Sequence, residues 1–356
     1  MRKGEPEDLP EADAFPGAPH PRHVHSLIGH EAAEAEMLSA YREDRLAHAW
    51  LIGGREGIGK ATLAWRFARF LLANPDPAAA SVREARDLHV DPNHPAARLI
   101  SALAHPDFAL IRREWQPGAK KLASEIPVET VREALKVFQL SAGFGGWRVV
   151  IIDCAEDLNR SSANALLKMI EEPPQRSAIL IVSHRPGQAP PTIRSRCRRL
   201  RLGPLKEEEI VKAVAGLGPP WSKLDRQAVA VAAKRSNGSA REALARLAPD
   251  SEEVGALIDS IVARLPRPDP RAVAKLADEI GGRGADESYQ AFHREVYGWL
   301  VRYAEEAVAS PARGEEIADL WDRIRTAERD TEALNLDRKL HILAVFAEIA
   351  QTARRS

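Results

Sequence analysis

The sequence predicts an α/β fold: a doubly wound parallel sheet built around a P-loop, followed by a small helical lid and an all-α C-terminal domain. Three observations carry this prediction. First, His48 to Phe70 reads as a buried strand, a glycine-rich turn and an amphipathic helix, in that order. Second, the apolar run from Trp147 to Asp153 ends in an acid and is followed by a helix and a second apolar strand, Ala178 to Ser183, which is the alternation of a parallel sheet. Third, residues beyond about 250 are rich in Ala and Leu at helical spacing, with Pro and Gly as breaks.

The first stretch supplies the chemistry. Gly54-Arg55-Glu56-Gly57-Ile58-Gly59-Lys60 fits the G-x-x-x-x-G-K part of the P-loop. Gly54, Gly57 and Gly59 let backbone N–H groups turn toward an anion, and Lys60 would reach terminal phosphates. Leu63, Phe67 and Phe70 mark the inner face of the helix, whose N-terminus adds partial positive charge at the same point. The motif needs a hydroxyl directly after the lysine to hold Mg²⁺. Ala61 stands there, and Thr62 comes one residue late, rotated by about 100° around the helix.

Asp153, at the end of its strand, is the Walker B candidate; the competing reading is a strand-end or helix-cap acid. Cys154 follows it, and a thiol does not replace the glutamate that would polarise an attacking water. Metal binding elsewhere is not expected: two cysteines cannot form a four-thiolate zinc site, and His89, His94 and His105 lack ligand spacing.

At 356 residues the chain calls for two or three domains, with expected boundaries at 1–22 for a disordered tail, 23–203 for the sheet domain, 204–250 for the lid and 251–356 for the C-terminal helices. The stretch 74–105 reads as an insertion. Fifty-one basic and 51 acidic residues give zero formal charge, which removes any global argument for nucleic acid or a membrane surface. With no signal-peptide pattern, no run able to span a bilayer and only Cys154 and Cys197, the expected compartment is a reducing cytoplasm.

Between Thr192 and Leu200, Arg194, Arg196 and Arg198 alternate on a strand-like piece. By themselves they fit a solvated face or a nucleic-acid contact equally. In the following helical segment Ser239 is placed to cap a helix carrying Arg241 in its first turn. The last helix, from about Asp337, is apolar on more than one face through Leu340, Ile342, Leu343, Val345, Phe346 and Ile349, which suggests packing in a bundle or against other subunits.

Taken together, Gly54 to Lys60, Asp153, Ala163-Asn164-Ala165-Leu166-Leu167-Lys168 running into Glu171-Glu172-Pro173-Pro174, and Ser195-Arg196-Cys197 resemble the bacterial clamp-loader subunits of the AAA+ class, from about Leu27 to Leu247. Leu27 to Glu31 and His48-Ala49-Trp50 resemble the same family. A faulty ATP site beside an intact Ser-Arg-Cys resembles the delta-prime branch rather than the tau/gamma motor branch. The resemblance implies an AAA+ sheet domain, a lid and a helical collar that joins subunits in a ring. It implies that Arg196 is an arginine finger projected into a neighbour's ATP site and that Arg241 is the lid arginine that senses nucleotide in active members.

The implied function is loading of the sliding clamp onto primed DNA as part of the DNA polymerase III holoenzyme, a nucleotidyltransferase complex in which this chain is not itself catalytic. Implied partners are tau/gamma and delta subunits, the clamp, and DNA through the complex. No cofactor is required, although ATP or ADP could sit in the loop without hydrolysis. The family's four-cysteine zinc module is missing here. The alternatives are an active AAA+ motor subunit, opposed by Ala61 and Cys154, and an unrelated nucleic-acid-binding protein using Arg194 to Arg201, opposed by zero net charge and the lack of interleaved aromatics.

Overall fold

The computed structural model describes residues 10–118, 121–139, 146–282, 285–306 and 311–355. These divide into two compact units, Met1–Ala243 and Leu244–Ser356. The lid segment up to Ala243 therefore belongs to the first unit, together with the sheet.

The first unit is built on a five-stranded, all-parallel sheet of β1 (Ala49–Gly53), β2 (Phe108–Arg112), β5 (Arg148–Asp153), β6 (Ser177–Ser183) and β7 (Arg198–Arg201), in the order β2-β5-β6-β1-β7. Short strands β3 (Trp115–Gln116) and β4 (Lys121–Leu122) form a separate antiparallel ribbon. Val149 to Ile152 and Ala178 to Val182 are all buried, as near-continuous apolar strands must be when helices cover both faces of a parallel sheet. Register places Arg112 beside Asp153 at the carboxyl ends of β2 and β5. β1, with β6 on one side and β7 on the other, opens directly into the P-loop.

The helix after the P-loop, Lys60–Ala73, is buried on nearly every side. Its inner face is the expected Leu63, Phe67 and Phe70. Its outer face is covered by Val82, Leu88, Ala97 and Ile100 of the 74–105 insertion and by the chain before Glu31. Two arginines on that outer face are satisfied in place. Arg66 pairs with Glu34 at 2.6 Å, and Arg69 donates to the carbonyls of Arg22 and Val24 at 2.7 Å each.

Two expectations need correction. The tail expected to be disordered over 1–22 is ordered from Pro10 onward, since its acids meet Arg112 and Arg22 and its Phe15 ring packs on Trp221; residues 1–9 lie outside the described residues. Nor do Arg194, Arg196 and Arg198 alternate on one strand. Pro190-Pro191 starts a helical turn, Pro191–Arg194, so only Arg198 lies on β7. Gly143 and Gly145, whose sequence position would break a helix before β5, fall outside the described residues.

The second unit is all helical, with helices Pro249–Val262, Pro270–Ile280, Asp286–Glu306, Pro311–Ala333 and Arg338–Arg355. Tyr289, Phe292, Val296 and Leu300 form a buried stripe that meets Ile342, Val345, Phe346 and Ile349 of the last helix. Inside this core lies a histidine pair, His293 and His341, joined Nε2 to Nε2 at 2.9 Å. His293 Nδ1–H donates to the Tyr289 carbonyl at 3.1 Å, so its Nε2 accepts and His341 Nε2–H donates, with both rings neutral.

Burial, with the neighbouring ring adding to it at His341, pulls both imidazoles down to about 4. In the unfolded chain they titrate near 6.5, so between the two values only the unfolded chain takes up protons and stability falls as the pH falls. We predict that the second unit has its full stability above pH 6.5 and loses on the order of 1–2 kcal/mol per ring by pH 5. Denaturant unfolding at pH 7.5 and pH 5 checks this. His341→Leu should flatten the dependence, and equal stability at both pH values in the unaltered chain would contradict it.

Candidate functional site

The site forms where the P-loop leaves the central strand. His30 holds the loop from the side: its buried ring donates from Nε2 to the Ile58 carbonyl at 2.6 Å. The helix Ala240–Leu247 closes the loop from the other side. Ser239 caps this helix, accepting from the Glu242 N–H at 3.2 Å, and the Ala240 N–H donates to the Gly57 carbonyl at 2.9 Å. Gly57 has φ +75°, and a Cβ there would lie 2.3 Å from Arg241 Cβ and 2.4 Å from Ser239 Oγ. Only glycine permits both the backbone shape and the approach of the lid. Gly59 likewise takes φ +103° as the residue that starts the helix.

Gly54, Gly57, Gly59 and Lys60 thus share one loop, Arg241 of the lid lies against Gly57, Asp153 ends β5, and Thr62 is half-buried in the first turn of the P-loop helix. Lys60 is only 2% exposed and donates to the Arg55 carbonyl of its own loop at 2.5 Å. Burial pulls its ammonium down to about 8 against the opposing charges of Asp153, Glu56 and Glu156. Asp153 is buried, and that burial, with the Asp13 charge, pushes its carboxyl up to about 7 while Lys60 opposes the rise. Arg241 pairs with Glu56 at 3.2 Å.

These residues do not fit a magnesium nucleotide. Ala61 offers no oxygen to the metal, Lys60 is turned onto its own loop, and burial raises the Cys154 thiol so that it stays protonated. An acid does follow Asp153, at Glu156 rather than 154, but it is committed. It accepts from Ser183 Oγ and from the N–H groups of Arg185 and His184, at 2.8 and 3.2 Å. Burial alone would raise its pKa, and those hydrogen bonds outweigh burial and hold it below the usual glutamate range. Glu156, Ser183 and His184 are site residues that the sequence reading missed. The available signal was the position of Ser183 at the end of β6 and of Glu156 three residues past Asp153.

Arg196 lies outside this group. It is 40% exposed and held by Glu171 at 2.5 Å, by the Thr192 carbonyl and by Ser195 Oγ, both at 3.2 Å.

Residues 29–206, half of the chain, match the family described as DNA polymerase III, delta subunit. The chain belongs to this family. Among curated relatives, the delta' subunit of Pseudomonas aeruginosa is 36% identical over 151 residues, covering 42% of each protein. The delta' subunit of Escherichia coli is 30% identical over 216 residues, covering 61% of this chain and 59% of the relative. The tau subunit of Escherichia coli is 26% identical over 333 residues, covering 87% of this chain and 48% of the relative. The chain thus spans less than two thirds of the length of these relatives. Among solved structures, a DNA polymerase III gamma subunit-related protein from Thermotoga maritima aligns with a TM-score of 0.38 at 16% identity, over 90% of this chain and all of that one.

Within this family member the close approach of the lid to Gly57 makes a prediction. Gly57→Ala should destabilise the first unit by about 1–3 kcal/mol, from strain at positive φ together with displacement of the lid helix. Chemical denaturation of the two proteins checks it, and an unchanged midpoint would show that the lid yields without cost.

Proposed function

We propose that this chain is a subunit of a DNA polymerase III clamp loader that does not hydrolyse ATP itself and supplies Arg196 to the ATP site of a neighbouring subunit. One contrast within the first unit carries the reading. The chain's own P-loop lacks the hydroxyl that would hold a metal and its lysine donates to its own loop, while the arginine of Ser195-Arg196-Cys197 stands at the surface, paired among the described residues with the exposed Glu171. A cation supplied across a subunit boundary is worth about 10³ to 10⁵ in phosphoryl-transfer rate. A subunit can therefore lose its own chemistry and still be needed for its neighbour's.

On this reading the partners are tau/gamma and delta subunits in a ring, with the sliding clamp and primed DNA reached through the complex, in the cytoplasm and without a required cofactor. Membership of the family supports it. So do the exposed leucines on and just before the last helix: Ile342 and Phe346 fill the unit's own core, while Leu334, Leu336, Leu340 and Leu343 are each exposed and suited to subunit contacts. Among the described residues no helix is long and apolar enough to cross a membrane. The likeness to tau and gamma relatives raises the motor-subunit reading, which Ala61 and the committed Glu156 oppose.

Arg196→Ala removes an exposed ion pair, worth at most about 1 kcal/mol, and two exposed hydrogen bonds to Thr192 and Ser195, so folding and assembly should be nearly unchanged. The clamp- and DNA-stimulated ATPase of complexes reconstituted with the variant should fall, with the loss confined to the one site served. Arg196→Lys should rescue only in part, because a point charge lacks the bidentate fork. Equal ATPase rates at equal assembly would assign the arginine a structural role.

A further inference from the structure

The cleft between P-loop and lid is crossed by the chain's own segment Pro10–Arg22, anchored at both ends. At the sheet edge Arg112, the register partner of Asp153, donates to Asp13 Oδ1 and Glu11 Oε1 at 2.7 Å each. His20 meets Asp13 Oδ2 at 2.8 Å, and Arg22 meets Glu11 at 2.6 Å. At the lid, Arg241 donates from Nη1 to the Ala14 carbonyl at 2.9 Å and places its guanidinium 5.4 Å from the centre of the Phe15 ring. The Phe15 ring stands edge-on to Trp221 with centroids 6.0 Å apart, and Trp221 Nε1–H donates to the Gly17 carbonyl at 2.7 Å.

Asp13 and Phe15, two residues apart, therefore bring to this cleft a buried carboxylate and an aromatic ring. Asp13 is 2% exposed and is held by Arg112, the register partner of Asp153. A ring set against the lid arginine is a contact that the base of a nucleotide would also make. The remaining contacts tie lid to sheet without any ligand.

We infer that the segment Pro10–Arg22 is a built-in substitute for nucleotide, one that fastens the lid to the sheet edge and bars adenine nucleotides from the P-loop. Because the occupant is part of the chain, its effective concentration is high. The apparent affinity for free nucleotide is then reduced by the fraction of molecules in which the segment has lifted away. This inference concerns the isolated chain and stands apart from any role for Arg196.

The test uses the full-length chain with Asp13→Ala and Phe15→Ala together, an Arg112→Ala chain, and the unaltered protein, each titrated with a fluorescent N-methylanthraniloyl ADP. Hydrogen exchange is followed over residues 10–22 and 207–243. The unaltered chain should show no saturable binding at millimolar probe, with 10–22 protected throughout. Both variants should expose 10–22, raise exchange across the lid and bind the probe saturably with a Kd of about 100 μM or tighter, at least tenfold below the millimolar limit for the unaltered chain. Released chains whose lid exchange is unchanged would overturn the fastening, and released chains that still do not bind would overturn the exclusion. Should the double variant fail to fold, Arg112→Ala and the unaltered chain decide the matter. Stoichiometric binding by the unaltered chain with 10–22 still protected would overturn the whole inference.

Discussion

The joint between sheet and lid depends on how closely the lid helix approaches the P-loop at Gly57. The hydrogen bond from the Ala240 N–H to the Gly57 carbonyl, and the space left by the missing Cβ, set the first turn of Ala240–Leu247 directly on the loop. From that contact Arg241 reaches Glu56 on one side and Ala14 on the other. The same approach lets Trp221 and Arg241 share the Phe15 ring. A lid held a few ångströms further out would lose all of these interactions together.

The charges of the cleft form one compensated set. Lys60 and Asp153 are both removed from water, and desolvation drives each toward its neutral form while the other opposes it. Of the two acids close behind Asp153, Glu156 is held by three donors from the end of β6 and the loop after it, and Asp157 pairs with Arg113 at 2.7 Å. Three features rather than one underlie the proposal that this loop does not hydrolyse ATP: the missing hydroxyl at 61, the lysine that donates to Arg55 and the occupied glutamate. The loop is also the joint between sheet and lid.

Much of this was legible in the sequence, because the periodic parts are governed by local pattern. The strands around β1, β5 and β6, the helix Lys60–Ala73, the cap at Ser239 and the stripe Tyr289, Phe292, Val296 and Leu300 lie where alternation and helical spacing put them. The order of the N-terminal segment was not legible. Its prolines and acids have the composition of a disordered tail, and what orders them is nonlocal: Arg112 lies 99 residues from Asp13, and Trp221 lies 204 residues from Gly17. The arginine alternation misled for a different reason, since proline chemistry at 190–191 outweighed a three-residue pattern. Glu156 escaped because only the fold shows that Ser183 and the following N–H groups converge on it.

The account stands or falls on whether this P-loop performs chemistry. The most direct measurement is ATP hydrolysis by the purified chain alone, in magnesium, beside the Lys60→Ala variant. We predict background rates for both proteins, since Lys60 already serves its own loop and the metal ligand is missing. Turnover on the order of 1 s⁻¹, an ordinary enzyme rate, that disappears in Lys60→Ala would contradict it.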